Sequence, residues 1–90
     1  MLEVKYSTKF KRDLKVCQKR HYDMAKLQQI INVLAIPAAL PPQNKDHSLT
    51  GNYIPHRECH IQPDWMLVYY QTETELYLYR TGTHSDLFSL

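Results

Sequence analysis

The sequence predicts an α+β domain in which two N-terminal helices pack on one face of a small antiparallel sheet, in the order β-α-α-β-β-β, with room for one further strand. Three observations carry that prediction. Apolar residues recur with a helical period only between Phe10 and Leu34. The period changes to two after Arg57. Turn residues then separate three strand-like runs, with Pro63-Asp64 and Thr72-Glu73-Thr74 as the connections.

Each element has a local reason. Leu2-Glu3-Val4-Lys5-Tyr6 alternates apolar and polar, as a half-buried strand does. Ser7 or Thr8 can cap a helix whose stripe is Phe10, Leu14 and Cys17, with lysines and Arg12 on its other faces. Asp23 can cap a second helix with the stripe Met24, Leu27, Ile31 and Leu34, widened by Ile30 and ended by Pro37. Residues 37–46, with Pro37, Pro41 and Pro42, read as a loop that delivers His47 to the sheet. Arg57–Gln62 alternates, Trp65–Tyr70 is a continuous apolar run suited to a central strand, and Glu75–Thr81 alternates again.

The turns also imply a register. A two-residue loop at Pro63-Asp64 sets Gln62 opposite Trp65 and His60 opposite Leu67. A three-residue loop at Thr72–Thr74 sets Gln71 opposite Glu75 and Tyr79 opposite Leu67, leaving Gly82 beside Asp64. One face then groups Glu58, His60, Tyr69, Tyr77 and Tyr79. The other carries Cys59, Ile61, Met66, Val68 and Leu78 as the helix-covered core. Arg80 falls on the core face by strict alternation, so it leaves that face at the strand end or through a bulge.

Ninety residues make one domain, spanning 1–90, with enough chain for a core and few buried positions to spare for polar groups. No apolar run reaches membrane-spanning length, and Lys5, Lys9 and Lys11 occupy the place of a signal peptide's apolar stretch, so the chain reads as cytoplasmic. Cys17 and Cys59 fit neither a disulfide framework nor a zinc site and read as reduced core thiols. The net charge of +2 hides an asymmetry. Residues 1–36 hold eight Lys/Arg against three Asp/Glu, whereas residues 37–90 hold three against six. A basic helical half can follow a phosphate backbone or simply solvate the helices.

Four of the five histidines lie in the second half: His47, His56, His60 and His84. A metal site is disfavoured, because His56 and His60 lie on a strand, where four residues span about 13 Å, and no local ligand pair has useful spacing. His21 and His56 read as ordinary solvated or hydrogen-bonded side chains. His47, His60, Asp64 and His84 suit general acid–base work on a phosphodiester. RNA cleavage without metal needs a base for the 2′-OH, an acid for the 5′-oxygen and a cation for the phosphate oxygens. Arg80 suits bidentate phosphate contact. Trp65, Tyr69, Tyr79 and Phe88 are candidates to stack on splayed bases, although some tyrosines are expected simply to pack the sheet.

Three ordered segments, Lys45–Gly51, Arg57–Trp65 and Arg80–Phe88, resemble the YafQ branch of the RelE/ParE toxin superfamily, and the resemblance covers essentially the whole chain. It implies a bacterial toxin of a type II toxin–antitoxin system that cleaves mRNA, typically on the ribosome, and is neutralised by a cognate antitoxin. By position it implies acid–base roles for His47, His60, Asp64 and His84. It places Arg80 at the phosphate and Phe88 against the RNA, with Glu58 and Trp65 as further site residues and no cofactor or metal. Tyr53-Ile54-Pro55-His56 departs from many relatives and puts a substrate contact by His56 in doubt. The rival reading is a gyrase-binding toxin of the ParE branch, which needs no proton carriers.

Overall fold

The computed structural model describes residues 1–88. Strand β1 (Glu3–Tyr6) leads into α1 (Thr8–Lys19) and α2 (Met24–Ala35). Strands β2 (His47–Ser48), β3 (Arg57–Gln62), β4 (Trp65–Gln71) and β5 (Glu75–Gly82) follow, and a short α3 (His84–Phe88) closes the described chain. The two helices start where their caps predict. Ser7 Oγ accepts from Phe10 N at 2.9 Å, and Asp23 Oδ1 accepts from Ala25 N at 3.0 Å. Ser7 Oγ also donates to the Tyr79 carbonyl at 2.6 Å, which fixes the start of α1 against β5.

The α+β class holds, but the sheet is mixed rather than wholly antiparallel. Its strand order is β1-β5-β4-β3-β2. Strands β2 to β5 pair antiparallel, while β1 lies at the edge parallel to β5, with Glu3 opposite Glu75 and Tyr6 opposite Leu78. The long path through both helices makes the parallel pairing possible, since parallel neighbours need a crossover rather than a hairpin.

Two irregularities decide which side chain faces which way. Gln62 does oppose Trp65, but the register then shifts at Ile61, so His60 opposes Met66 and Cys59 opposes Leu67. In β5 the loop is one residue longer than expected, because Thr72 N donates to the Glu75 carbonyl and Gln71 pairs with Leu76. A second shift follows: Tyr69 opposes Leu78, but Val68 opposes Arg80, which leaves Tyr79 as the extra residue of a bulge. The expected face assignment is therefore corrected. Met66 and Val68 leave the helix-covered core, and Leu67 and Tyr69 enter it. The core beneath α1 and α2 contains Phe10, Leu27, Leu34, Cys59, Trp65, Leu67, Tyr69 and Leu78. On the opposite face Met66, Val68 and Leu87 form a smaller cluster with Leu49, Tyr79 and Phe88. Gly82 lies opposite Met66 instead of beside Asp64. Both cysteines are free and buried as expected, and burial pushes the Cys59 thiol up to about 12, which keeps it protonated.

The start of α3 depends on a reciprocal cap. Thr83 N donates to Asp86 Oδ2 at 2.9 Å, and Asp86 N donates to Thr83 Oγ1 at 3.1 Å. Arg20, just after α1, donates to both Asp86 oxygens, at 2.6 and 3.2 Å. Gly82 precedes this cap with φ +155°, and a Cβ built there would lie 2.9 Å from Asp86 Oδ2. Gly82→Ala is expected to cost about 1–3 kcal/mol through backbone strain and displacement of the cap, read as a lowered urea midpoint. A midpoint within error of the parent would show that the turn has slack. The Arg20 guanidinium holds the Asp86 carboxyl well below the usual carboxylate range. Because the folded-state value is depressed, this stabilisation is present above the unfolded value near ~4 and disappears as pH falls through the folded one. The midpoint difference between the parent and Asp86→Asn should thus be largest near neutrality and shrink below about pH 4. A difference that grows on acidification contradicts the assignment.

Candidate active site

His47 reaches the sheet on a loop held from below. Asp46 Oδ1 accepts from the buried Tyr69 hydroxyl at 2.6 Å and from Arg57 Nε at 3.3 Å. Arg57 Nη1 donates to Ser48 Oγ at 2.7 Å. With Asp46 fixed on one side, His47 pairs with Glu58 across β2 and β3. Its Nδ1 lies 2.7 Å from the Lys45 carbonyl, whose residue has the left-handed φ of 48°. That contact makes Nδ1 the protonated nitrogen and turns Nε2 toward Glu58.

Glu58 is the centre of this cluster. Its side chain is 7% exposed, with Oε1 3.6 Å from His47 Nε2 and 3.9 Å from His60 Nε2. Its Oε2 is buried and has no hydrogen-bond partner among the described residues. His60 Nδ1 lies 3.2 Å from the Pro63 carbonyl, and the His60 carbonyl accepts from the buried Asn44 side chain at 2.7 Å. A carboxylate flanked by two imidazoles can orient both. The sequence reading places Glu58 against substrate; its burial instead leaves it in contact with His47 and His60.

The other half of the site comes from β5 and α3. His60 and Gly82 flank Met66 on adjacent strands, so the end of β5 lies about 10 Å from His60 across two strand spacings. His84 opens α3, and its backbone N–H faces Asp64 Oδ1 at 3.4 Å. The His84 and Phe88 rings are 4.9 Å apart, and Phe88 meets Tyr53 edge-on at 5.4 Å. The bulge puts Tyr79 and Arg80 together on Val68's face. Arg80 lines a small cleft there with Lys9, Tyr53 and Phe88. Asp13 of α1 clamps its guanidinium at 2.7 and 3.1 Å. Among the predicted site residues, His47 and His60 meet through Glu58. Asp64, His84 and Phe88 meet at the end of β5, and Arg80 lies across Val68 from Glu58 on the same face.

Trp65 and Tyr69 are corrected. Both are 1% exposed in the core, where Trp65 packs on Tyr22 and donates to Thr81 Oγ1 at 2.9 Å. The shift at Ile61 turned them inward, so neither can stack on a base. His56 is more than a surface residue: its ring lies between Tyr70 and Tyr79, at 5.0 and 4.5 Å. Sequence reasoning missed Asp13, Asp46 and Asp86, which hold Arg80, the His47 loop and α3. Only Asp86 had a local signal, the Thr83-x-x-Asp86 spacing of a helix start. The groove between α1 and α2, lined by Phe10, Leu14, Met24 and Ile31, lies on the helix side and is no part of this site. No group of three or more His, Cys, Asp or Glu among the described residues has the geometry to hold a metal ion.

Residues 2–89 match the family model described as a bacterial toxin of type II toxin–antitoxin system, YafQ. The chain belongs to this family. The mRNA interferase toxin YafQ of Escherichia coli K12 is 42% identical over 89 residues, covering 96% of this chain and 95% of that protein. In the crystal structure of the E. coli DinJ–YafQ toxin–antitoxin complex, the matching chain is 41% identical with a TM-score of 0.89, and 97% of each chain is covered. A metal-bound toxin from Helicobacter pylori is 42% identical with a TM-score of 0.92, covering 98% of this chain and all of the other. YafQ-family membership accounts for the α+β fold and makes this chain a type II toxin.

The loop anchor is testable. Asp46→Ala leaves the buried Tyr69 hydroxyl unpaired and should cost about 1–3 kcal/mol, while Tyr69→Phe removes donor and demand together and should cost less. Equal midpoints for Asp46→Ala and the parent would show that His47 is held some other way.

Proposed function

We propose that this toxin is a metal-independent endoribonuclease that cleaves ribosome-bound mRNA by internal attack of a ribose 2′-OH, and that an antitoxin neutralises it in the bacterial cytoplasm. The observation that carries the reading is the buried Glu58 carboxylate between His47 and His60, on the same sheet face as Arg80 and beside the end of β5 that leads to His84. The names of the E. coli relative and of the DinJ–YafQ complex support the mRNA substrate and the antitoxin.

In this reading His60 takes the 2′-OH proton, and the Glu58 carboxylate faces the imidazolium that forms. The 2′-oxygen attacks the adjacent phosphorus and the 5′-oxygen leaves, taking a proton from His84. His47 assists as the second imidazole on Glu58. Arg80, pre-aligned by Asp13, faces the phosphate oxygens, where charge grows in the transition state. Phe88 stacks on a base beside the cut. Asp64 holds the start of α3 and thereby the placement of His84. Base and acid then sit on different elements, His60 on β3 and His84 at the start of α3, as in-line displacement requires of groups serving opposite sides of one phosphorus.

The test is cleavage of mRNA by the purified toxin with ribosomes present, with and without EDTA. Cleavage should survive chelation, and His60→Ala and His84→Ala should each lower it by roughly 10²–10⁴-fold. A loss below tenfold removes that residue from proton transfer. Loss of cleavage in EDTA, restored by a metal, would overturn the metal-independent chemistry, as the metal-bound H. pylori relative makes worth checking. Gyrase inhibition by a folded protein that leaves mRNA intact would overturn the reading as a whole.

A further inference from the structure

A cavity of about 330 Å³ lies against His60 at the edge of β3, and the chemistry above makes no use of it. It forms because β2 pairs only with Arg57 and Glu58, leaving the edge of β3 beyond them to the turn at residues 42–45. Asn44 is 8% exposed and braces that turn through its bond to the His60 carbonyl. The cavity is lined by Gln43, Lys45, His60, Ile61, Gln62 and Pro63, together with Asn44. It shares one wall, His60, with the candidate catalytic cluster, and a second, Lys45, orients His47 through its carbonyl.

Its polar side chains are unspent. Gln43, Lys45 and Gln62 are exposed, and among the described residues their side chains make no hydrogen bond or ion pair. An amide offers one acceptor and two donors from one flat group, which matches the paired donor and acceptor on a nucleobase edge. Ile61 and Pro63 supply apolar walls for the base's faces. The volume stands at the low end of small-ligand sites, which suits one base rather than a larger group. Single-stranded RNA is recognised by splaying bases into such places and bonding their Watson–Crick edges.

From this juxtaposition we propose that the cavity is a nucleobase subsite, in which Gln43 and Gln62 read the base adjoining the scissile phosphate and Lys45 holds the neighbouring backbone. The proposal rests on the RNA-cleaving reading. It assigns sequence preference to the β3 edge, separately from the proton-transfer residues on the sheet face.

The experiment is sequencing of RNA ends after purified toxin acts on a mixed mRNA pool with ribosomes, each sample normalised to its own total cuts. The parent should show a base bias at one position flanking the cut. Gln43→Ala with Gln62→Ala should flatten the bias at that position by about tenfold or more, the worth of one good paired contact. Gln62→Glu, which keeps the acceptor and removes the donors, should redirect the bias toward bases presenting a donor. Unchanged bias in both variants, or no bias in the parent, overturns the subsite while leaving the nuclease intact. No cleavage by the parent overturns the nuclease reading and the subsite with it. Matching urea midpoints establish that the variants fold, as expected for exposed side chains.

Discussion

The site depends on one buried carboxylate. Glu58 has an oxygen shut away from solvent with no partner among the described residues, a placement that costs several kcal/mol unless nearby cations or donors offset it. The groups that can do so are His47 and His60, each less than 4 Å from its other oxygen. Stability and chemistry are therefore set against each other at this point. The carboxylate is held where it is by the β3 ladder, and the histidines are drawn to it. The same logic explains the investment in the His47 loop. Asp46, Tyr69 and Arg57 tie it down from the core side, so that the imidazole on the other side has a fixed partner.

Two register shifts turn an ordinary sheet into a two-sided device. The shift at Ile61 puts Trp65, Leu67 and Tyr69 under the helices, and frees the opposite face for Glu58, His60, Met66 and Val68. The bulge at Tyr79 moves Arg80 off the core face, while Thr81 stays inside to bond Trp65 and the Met66 carbonyl. Without it Arg80 would point into the core beneath the helices. Asp13 then holds the guanidinium in a fixed fork, which would lower the entropy lost if it binds a phosphate as proposed.

The helices, their caps and the strand sequence were legible because each has a local cause: Ser7 and Asp23 as acceptors, a 3.6-residue stripe, and alternation after Arg57. The candidate set His47, His60, Asp64, Arg80 and His84 came from residue type and from the family's ordered motifs. The facing of Trp65 and Tyr69 was not, because an extra backbone residue in a strand changes every facing beyond it and has no composition of its own. The parallel place of β1 and the Arg80–Asp13 pair were hidden for another reason. Each joins residues about seventy positions apart, beyond the reach of periodicity. The short α3 left a readable trace in Gly82, Thr83 and Asp86, and it is this turn that brings His84 and Phe88 back over the sheet face.

A toxin built this way separates its tasks by element. The core face serves stability, and in the proposed reading the outer face of β3 and β5 serves proton transfer and phosphate contact while the β3 edge beside residues 42–45 is left for base recognition. The most direct test of the central claim is the chemistry of the RNA ends made by the purified toxin on ribosome-bound mRNA. Internal 2′-OH attack leaves a 2′,3′-cyclic phosphate and a 5′-hydroxyl at each cut. Ends carrying a 3′-hydroxyl and a 5′-phosphate would mean that water is the nucleophile and would contradict the histidine-driven mechanism.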